Sequence, residues 1–197
     1  MNLEDEELVR RVKAGQPAAF DGLMERYEQR VISMAYRMLG QREDALELAQ
    51  DVFLRAWRGL PRFREEASFR TWLYQITLNL VRNRRRWYAR HRCSATLSLD
   101  ASADPEGNEE GAPSLAESTA DPAPGPREEA ERAVLHRRLQ RALGDLPLEL
   151  RTVVVLRDIE GYPYEQIASI CREPVGTVKS RLHRGRALLR ERMEKAA

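Results

Sequence analysis

The sequence predicts an all-α protein with two small helical domains joined by a flexible acidic linker. Apolar residues recur at three- and four-residue steps through most of residues 1–92 and 127–197, which is the period of amphipathic helices. Residues 93–126 lack this period and are rich in proline and acidic residues, as is typical of a linker. Residues 161–192 fit a helix, a tight turn and a second helix.

The first domain is predicted to contain four helices around one core. Residues 3–14 form a short helix with Leu8 and Val12 inward, and residues 17–40 form a long helix. The long helix is predicted to bury Phe20, Leu23, Met24, Tyr27, Val31, Met34, Ala35 and Met38. The helix over residues 42–58 is predicted to bury Ala45, Leu48, Ala49, Val52, Phe53 and Trp57.

A loop and a fourth helix complete this domain. Gly59 and Pro61 predict a loop over residues 59–67, and Ser68 is predicted to cap the helix that follows. The predicted inward residues of this helix are Phe69, Trp72, Leu73, Ile76 and Leu80. Its predicted outward residues include Thr71, Gln75, Asn79, Arg82 and Asn83, which suit either nucleic-acid binding or a solvated surface.

The charged residues are segregated along the chain. The formal net charge is only +2, from 33 basic and 31 acidic residues. One basic block comprises Arg82, Arg84, Arg85, Arg86, Arg90 and Arg92. An acidic block follows with Asp100, Asp104, Glu106, Glu109, Glu110, Glu117 and Asp121. This separation predicts contact with a polyanion at the basic block and an extended, solvated acidic block.

The third helix carries polar residues on the face opposite its core stripe, namely Glu43, Asp44, Glu47, Gln50 and Asp51. Acidic residues near a helix N-terminus complement the helix dipole. They also suit contact with a basic partner, and the residues alone do not decide between these two interpretations.

The second domain is predicted to contain two helices before the helix-turn-helix. Residues 127–143 place Val134, Leu135, Leu139 and Leu143 inward, and residues 147–159 place Leu150, Val153, Val154 and Ile159 inward. In the last helix, Val178, Leu182, Gly185 and Leu189 form an apolar stripe opposite Ser180, His183, Arg184 and Ala187. An apolar back with a polar, cationic ridge suits a DNA major groove. The alternative is a solvated basic helix.

Several classes of protein are disfavoured. Cys93 and Cys171 stand far apart without a CxxC motif, which excludes a disulfide framework and fits a reducing cytoplasm. No nucleophile and base pair, phosphate loop or metal cage is recognisable, so neither enzymatic activity nor a cofactor or metal is expected. No leader and no membrane-length apolar run is seen, and a cytoplasmic protein is expected.

Three stretches resemble the extracytoplasmic-function group of the sigma-70 family of bacterial transcription initiation factors. They are EDALELAQDVFLRAW over residues 43–57, FREEASFRTWLYQITLNLVRNRRR over residues 63–86, and residues 146–190 around GYPYEQIASICREPVGTVKSRLHRGRALLR. The resemblance covers both predicted domains and implies sigma region 2 over residues 1–92 and sigma region 4 over residues 127–197. The ordered combination is far more specific than a helix-turn-helix alone.

The resemblance implies partners and site residues. The first domain would bind the clamp helices of the largest RNA polymerase subunit through Asp44, Glu47, Gln50, Asp51 and Phe53. The minus-10 promoter element would be held by Phe63, Arg64, Ser68, Asn79, Arg82, Asn83, Arg84 and Arg86. The minus-35 element would be read by Thr177, Lys179, Ser180, Arg181, His183, Arg184 and Arg186. The flap of the second-largest subunit and an anti-sigma factor are the other implied partners.

This chain departs from the family pattern at the helix-turn-helix. Pro163 stands where a capping serine is usual, Arg172 and Glu173 replace small residues in the turn, and His183 replaces a bulkier residue. These departures leave the promoter sequence open. The alternative function is a stand-alone helix-turn-helix regulator, which would bind a palindromic site tightly without polymerase. A scaffold that has lost DNA binding is disfavoured by the intact basic ridge.

Overall fold

The computed structural model describes residues 3–95 and 126–195, and all its regular structure there is helical. The first helical unit contains α1 (Leu3–Lys13), α2 (Ala19–Leu39), α3 (Arg42–Gly59), a 3-10 turn (Leu60–Arg62) and α4 (Phe69–Ala95). The second contains α5 (Pro126–Gly144), α6 (Leu148–Val154), a π-helical turn (Val155–Ile159), α7 (Tyr164–Cys171) and α8 (Val175–Lys195). The all-α prediction is confirmed.

Most of the predicted linker lies outside the described residues. Helix α4 continues through residues 93–95 and α5 begins at Pro126, so the helices extend into both ends of the predicted linker. Residues 96–125, with the acidic block, therefore stay a prediction. None of the helices in the two described ranges is long and apolar enough to cross a membrane.

Helix α2 organises the first unit, because α1, α3 and α4 all pack against it. Leu23, Met34 and Met38 on α2 are fully buried. Asp5 of α1 is also buried, and its carboxylate accepts hydrogen bonds from Arg26 at 2.5 Å and from the Tyr27 hydroxyl. A buried carboxylate needs such donors, which lock α1 onto α2.

Ser68 caps α4 as predicted. Its hydroxyl oxygen accepts a hydrogen bond from the Thr71 backbone N–H at 3.2 Å. Ser68 thus satisfies one of the four N–H groups that have no partner within a helix at its first turn.

The second unit is built on the packing of α6 against α8. Gly185 permits this approach, because a Cβ atom there would lie 2.7 Å from Val154 Cγ2 and 3.2 Å from the Leu150 carbonyl oxygen. Val178 and Leu182 are buried on the same side of α8. The apolar stripe predicted for the last helix is therefore the packed side.

Four predicted core residues are exposed instead. Trp57 is 40% exposed and Met24 37% exposed, while Val134 and Leu135 are 46% and 56% exposed. Trp57 lies near the end of α3 and meets Phe20 only edge to face, at 5.1 Å between ring centroids. In α5 the buried residues Gln140, Ala142 and Leu143 lie towards its C-terminal end, so the predicted face is wrong for its earlier turns.

The opposite error occurs at Thr71, and two further polar residues, for which no prediction was made, are also buried. Thr71, predicted to face outward, is only 3% exposed, and Arg151 and Thr152 are 2% and 4% exposed. Helix α4 packs against α7 of the second unit, and α6 contacts α2 of the first. The two units therefore touch directly, and a helical period within one unit cannot reveal a surface covered by the other.

Replacing Gly185 with alanine is expected to lower the free energy of unfolding, because the added methyl group overpacks the α6–α8 contact at a cost of about 1–3 kcal/mol. This cost exceeds the roughly 0.5–1 kcal/mol that alanine gains over glycine inside a helix. Urea unfolding followed by circular dichroism measures the change. Gly176→Ala is the matched control, since nothing lies within 4 Å of a Cβ there. Equal destabilisation of both variants would contradict this role for Gly185.

Candidate functional site

The turn between α7 and α8 is closed by a left-handed residue. Arg172 has a φ of 57°, and the backbone N–H of Glu173 donates to the Ala168 carbonyl at 3.0 Å. This is a usual way for a helix to end, although glycine is the commoner residue there. Pro163 precedes α7 without a side-chain cap, as its sequence position implied. The turn between α7 and α8 therefore has regular helix-turn-helix geometry, even though Arg172 occupies its left-handed position.

The outward face of α8 presents the residues predicted to reach base edges. Lys179, Ser180, His183 and Arg184 are all exposed. The Ser180 hydroxyl donates to the Thr177 carbonyl at 2.9 Å, so its oxygen still has acceptor capacity. A ridge of ammonium, hydroxyl, imidazole and guanidinium groups can offer several donors to bases and phosphates.

The arginines flanking this ridge are held by acidic residues of the same unit. Arg181 donates to Glu173 at 3.1 Å, and Arg186 donates through Nε to Asp158 at 2.9 Å. Both ion pairs cross from α8 to neighbouring segments. They fix the guanidinium groups beside the ridge, a placement that suits contact with DNA phosphates rather than bases.

The polar end of α4 separates into exposed and anchored residues. Asn79, Asn83 and Arg86 are exposed, and Arg82 points a guanidinium nitrogen at Asn79 Oδ1 from 3.4 Å. Arg84 is ion-paired with acidic residues of α3. The predicted minus-10 residues of this helix thus differ in accessibility. Asn83 and Arg86 are exposed to a ligand, whereas Arg84 would first have to break its ion pairs.

The loop before α4 is shaped by Phe63. Its ring is 9% exposed and stacks on Trp72 with 4.7 Å between ring centroids. Lys13 donates to the Phe63 carbonyl at 2.7 Å. Arg64 is exposed, with its guanidinium 3.9 Å from Glu66. Phe63 therefore supports the loop from within, whereas Arg64 is available at its surface.

An ion-pair cluster joins two of the predicted sites. Arg84 on α4 donates to Asp44 at 3.1 Å and to Glu47 at 3.0 Å, both on α3, and the Tyr88 hydroxyl donates to Asp44 at 2.5 Å. Arg84 was assigned to DNA phosphates, and Asp44 and Glu47 to polymerase. Because α3 and α4 are neighbours, Arg84 binds both carboxylates instead, and Asp44 is largely withdrawn from the surface.

An apolar groove that the sequence analysis missed lies between α2 and α3. It has a volume of about 700 Å³. Its lining includes Met24, Leu46, Leu54 and Trp57, which are 37–47% exposed, with Phe53 in its wall. Leu46 and Leu54 lie eight residues apart on α3 with the polar Gln50 midway between them, so the two leucines share a face with polar residues and were not recognised as an apolar surface. Phe53 itself is 5% exposed and belongs mainly to the core.

The exposed polar residues of α3 border this groove. Gln50 and Asp51 are exposed, and Glu47 keeps a side chain that is 69% exposed despite its pairing with Arg84. An exposed apolar groove beside acidic residues is a typical protein-binding surface. Its chemistry fits a partner with apolar side chains flanked by basic ones.

Cys171 is placed where a thiol is unreactive. Its side chain lies in the core of the helix-turn-helix, and burial raises the pKa of the thiol to about 11. The reactive thiolate is therefore scarce at neutral pH. The side chain of Cys93 lies outside the described residues.

Two family models match this chain in the same order as the two helical units. Sigma-70 region 2 matches residues 23–91, and Sigma-70, region 4 matches residues 136–189. The RNA polymerase sigma-H factor of Pseudomonas aeruginosa is 36% identical over 183 residues, covering 93% of this chain and 90% of that relative. The chain belongs to the extracytoplasmic-function group of the sigma-70 family.

Other relatives and solved structures agree with this assignment. The ECF RNA polymerase sigma-E factor of Escherichia coli K12 is 33% identical over 192 residues, covering 98% of this chain and 95% of that relative. The fold resembles the sigma factor RpoE solved with the anti-sigma factor NepR from Bartonella quintana, with a TM-score of 0.65, 22% identity and coverage of 89% and 96%. It also resembles CnrH solved with the cytosolic domain of CnrY, with a TM-score of 0.65, 24% identity and coverage of 98% and 99%.

Proposed function

We propose that this sigma factor binds core RNA polymerase through α3 and reads two promoter elements, the minus-10 element with α4 and the minus-35 element with α8. The observation that carries the proposal is the exposed ridge of Lys179, Ser180, His183 and Arg184 on the second helix of a well-formed helix-turn-helix. The polymerase carries out the chemistry, and the sigma factor itself is no enzyme.

The minus-35 reader is α8. Its apolar side packs on α6, so its outward side is presented as a rigid edge to the DNA major groove. Arg184 is the main specificity residue, because a guanidinium can bond guanine O6 and N7 together. Arg181, Arg186 and Thr177 position the helix on phosphates.

The minus-10 reader is the exposed part of α4 with the loop before it. Asn79 and Asn83 each offer one donor group and one acceptor group, which can replace the hydrogen bonds that a base loses when it leaves the stack. Arg82 and Arg86 neutralise phosphates beside them, and Arg64 extends this surface. Phe63 and Ser68 act by shaping the loop and starting the helix.

The polymerase-binding surface combines the acidic face of α3 with the neighbouring apolar groove. Gln50, Asp51 and Glu47 supply polar contacts, and Leu46 and Leu54 supply apolar area at the same rim. Charge steers the encounter with a basic partner, while burial of apolar surface supplies affinity. Asp44 contributes by holding Arg84 and Tyr88 in place.

Regulation by an anti-sigma factor is part of the proposal, supported by the resembling fold of RpoE, which was solved with the anti-sigma factor NepR. The protein acts in the cytoplasm, where polymerase and promoter DNA are located. The flap of the second-largest polymerase subunit is the expected partner of the second unit.

The function is tested by adding the chain to core polymerase with a promoter fork that is already melted at the minus-10 element. The fork is expected to be bound and transcribed only when both proteins are present. Transcription-start mapping after overexpression supplies the promoter. Tight duplex binding by the chain alone, with no further effect of polymerase, would instead identify a stand-alone helix-turn-helix regulator.

Arg184→Ala is expected to weaken binding of polymerase holoenzyme to promoters with the preferred minus-35 base by about 1–3 kcal/mol, and to relax the preference at that base pair. Fluorescence anisotropy on a panel of single-base variants measures this loss. Arg190→Ala is the matched control, because Arg190 is an exposed arginine of the same helix outside the ridge. An equal loss on all duplexes would count against base reading by Arg184.

Asp51→Lys is expected to reduce the affinity for core polymerase at least about tenfold, because it places a cation against a basic partner. Competition with a labelled sigma factor measures the affinity. Glu25→Lys makes the same charge change at an exposed site on α2 outside the groove and is expected to bind normally. Equal affinities for both variants would exclude α3 as the polymerase-binding surface.

A further inference from the structure

Helix α1 reaches the loop that precedes α4 with the side chain of Lys13. The Lys13 ammonium group donates to the Phe63 carbonyl at 2.7 Å and to the Glu65 carboxylate. It also lies 5.6 Å from the centre of the Phe63 ring, which is within the range of a cation–π interaction. One cation therefore binds a backbone carbonyl, a carboxylate and an aromatic ring of the same loop.

The loop over residues 63–68 contains a backbone conformation that needs outside support. Glu65 has a φ of 61°, in the left-handed region that residues other than glycine disfavour. Such a conformation persists where surrounding contacts impose it. Lys13 binds the Glu65 side chain and the carbonyl two residues earlier, so its two hydrogen bonds span the left-handed turn and fix it.

Packing between α1 and this loop is incomplete. The Phe63 ring is held from the other side, where it stacks on Trp72. Between α1 and the loop lies a cavity of about 20 Å³, whose lining includes Val9 and Ser68. That volume has room for about one water molecule. Because side chains do not fill this space, the hydrogen bonds of Lys13 carry more of the orientation of the loop relative to α1.

The chemistry of lysine suits this position. Lys13 is one of three lysines among the 33 basic residues of the chain. A compact ammonium group with three donors can meet a carbonyl and a carboxylate at an angle to each other, whereas a guanidinium group is a planar fork. Lys13 also neutralises Glu65, a carboxylate next to Arg64, and so lowers the repulsion between this loop and DNA phosphates.

We propose that Lys13 is a positioning residue of the minus-10 reader, which fixes the loop over residues 63–68 so that it discriminates between unpaired bases. The proposal rests on the function proposed above. It adds α1, which precedes the residues 23–91 that match Sigma-70 region 2. An unpaired base must regain its hydrogen bonds from groups at fixed positions, and a loop with several shapes would accept several bases. Lys13 acts through Phe63 and Glu65 and has no need to touch DNA itself.

The first measurement follows the mobility of the loop in the full-length chain without polymerase. A spin label is attached at Glu66→Cys, an exposed loop position, in a Cys93→Ser background where buried Cys171 does not react. Lys13→Met keeps the length of the side chain and removes its charge and donors. This variant is expected to shorten the rotational correlation time of the label about twofold or more, since loop motions fall in the nanosecond range. An unchanged spectrum in folded Lys13→Met would overturn the proposal.

The second measurement uses polymerase holoenzyme and promoter forks that are unpaired at the minus-10 element, with each non-template base varied in turn. Lys13→Met is expected to lower the affinity ratio between preferred and other bases about two- to tenfold, the range that one hydrogen bond contributes. Affinities for core polymerase and for a minus-35 duplex are expected to stay unchanged, and Lys13→Arg is expected to restore part of the ratio. Arg10→Met is the matched control, because Arg10 is an exposed cation of α1 that pairs with Glu7 on the same helix. An equal loss on every base would overturn the positioning role.

Glu65→Gly approaches the same contact from the loop, and it decides the question if circular dichroism shows that Lys13→Met has unfolded. Glu65 is exposed, so its replacement leaves the core intact. The variant removes one partner of Lys13 and frees the left-handed turn, and a similar fall in the affinity ratio is expected. Because the two residues act as one unit, the double variant is expected to lose no more than the weaker single variant. Losses that multiply, or an unchanged ratio in Glu65→Gly, would overturn the proposal.

Failure of the proposed function gives a different result. A parent chain that binds polymerase but shows no preference among minus-10 bases would contradict the minus-10 reader itself, and the specificity role of Lys13 would fall with it. The spin-label measurement without polymerase would still decide whether Lys13 holds the loop.

Discussion

Charged groups that are removed from water must be paired within the protein, and this constraint governs how the helices of this sigma factor meet. Asp5 joins α1 to α2 by accepting from Arg26 and Tyr27. Glu160 and Arg151 do the same on a larger scale between the two units. Apolar packing alone tolerates small shifts of register, whereas a buried ion with fixed donors permits one arrangement.

Arg151 stabilises both its own helical unit and the contact between the two units. It donates to the Leu146 carbonyl at 3.1 Å and to the Gly144 carbonyl within its own unit, and to the Met38 carbonyl in the other. Burial and the positive charge of Arg85 lower its pKa to about 10, so it remains a cation at neutral pH. The same guanidinium closes the α5–α6 connection and the contact between the units.

The proposed functional surfaces are also connected through ion pairs. Arg84 links α4 to the acidic face of α3, and Arg186 links α8 to Asp158 beside the π-helical turn. Such pairs fix the orientation of a surface more than they add to stability, because they are partly solvated. In a family whose members bind polymerase and DNA together, they hold one surface at a fixed position relative to the next.

The sequence by itself determined the helices, their order and the family, because these depend on local periodicity, on breakers such as Gly40 and on short motifs. It also placed Arg184 and His183 on the outward face of α8 correctly. Only the tertiary structure decided that Thr71 is covered, that Trp57 borders a groove, and that Arg84 is bound to Asp44. The reason is physical: periodicity reports which side of a helix is apolar, whereas the burial of a polar side chain depends on a partner distant in sequence that supplies its hydrogen bonds.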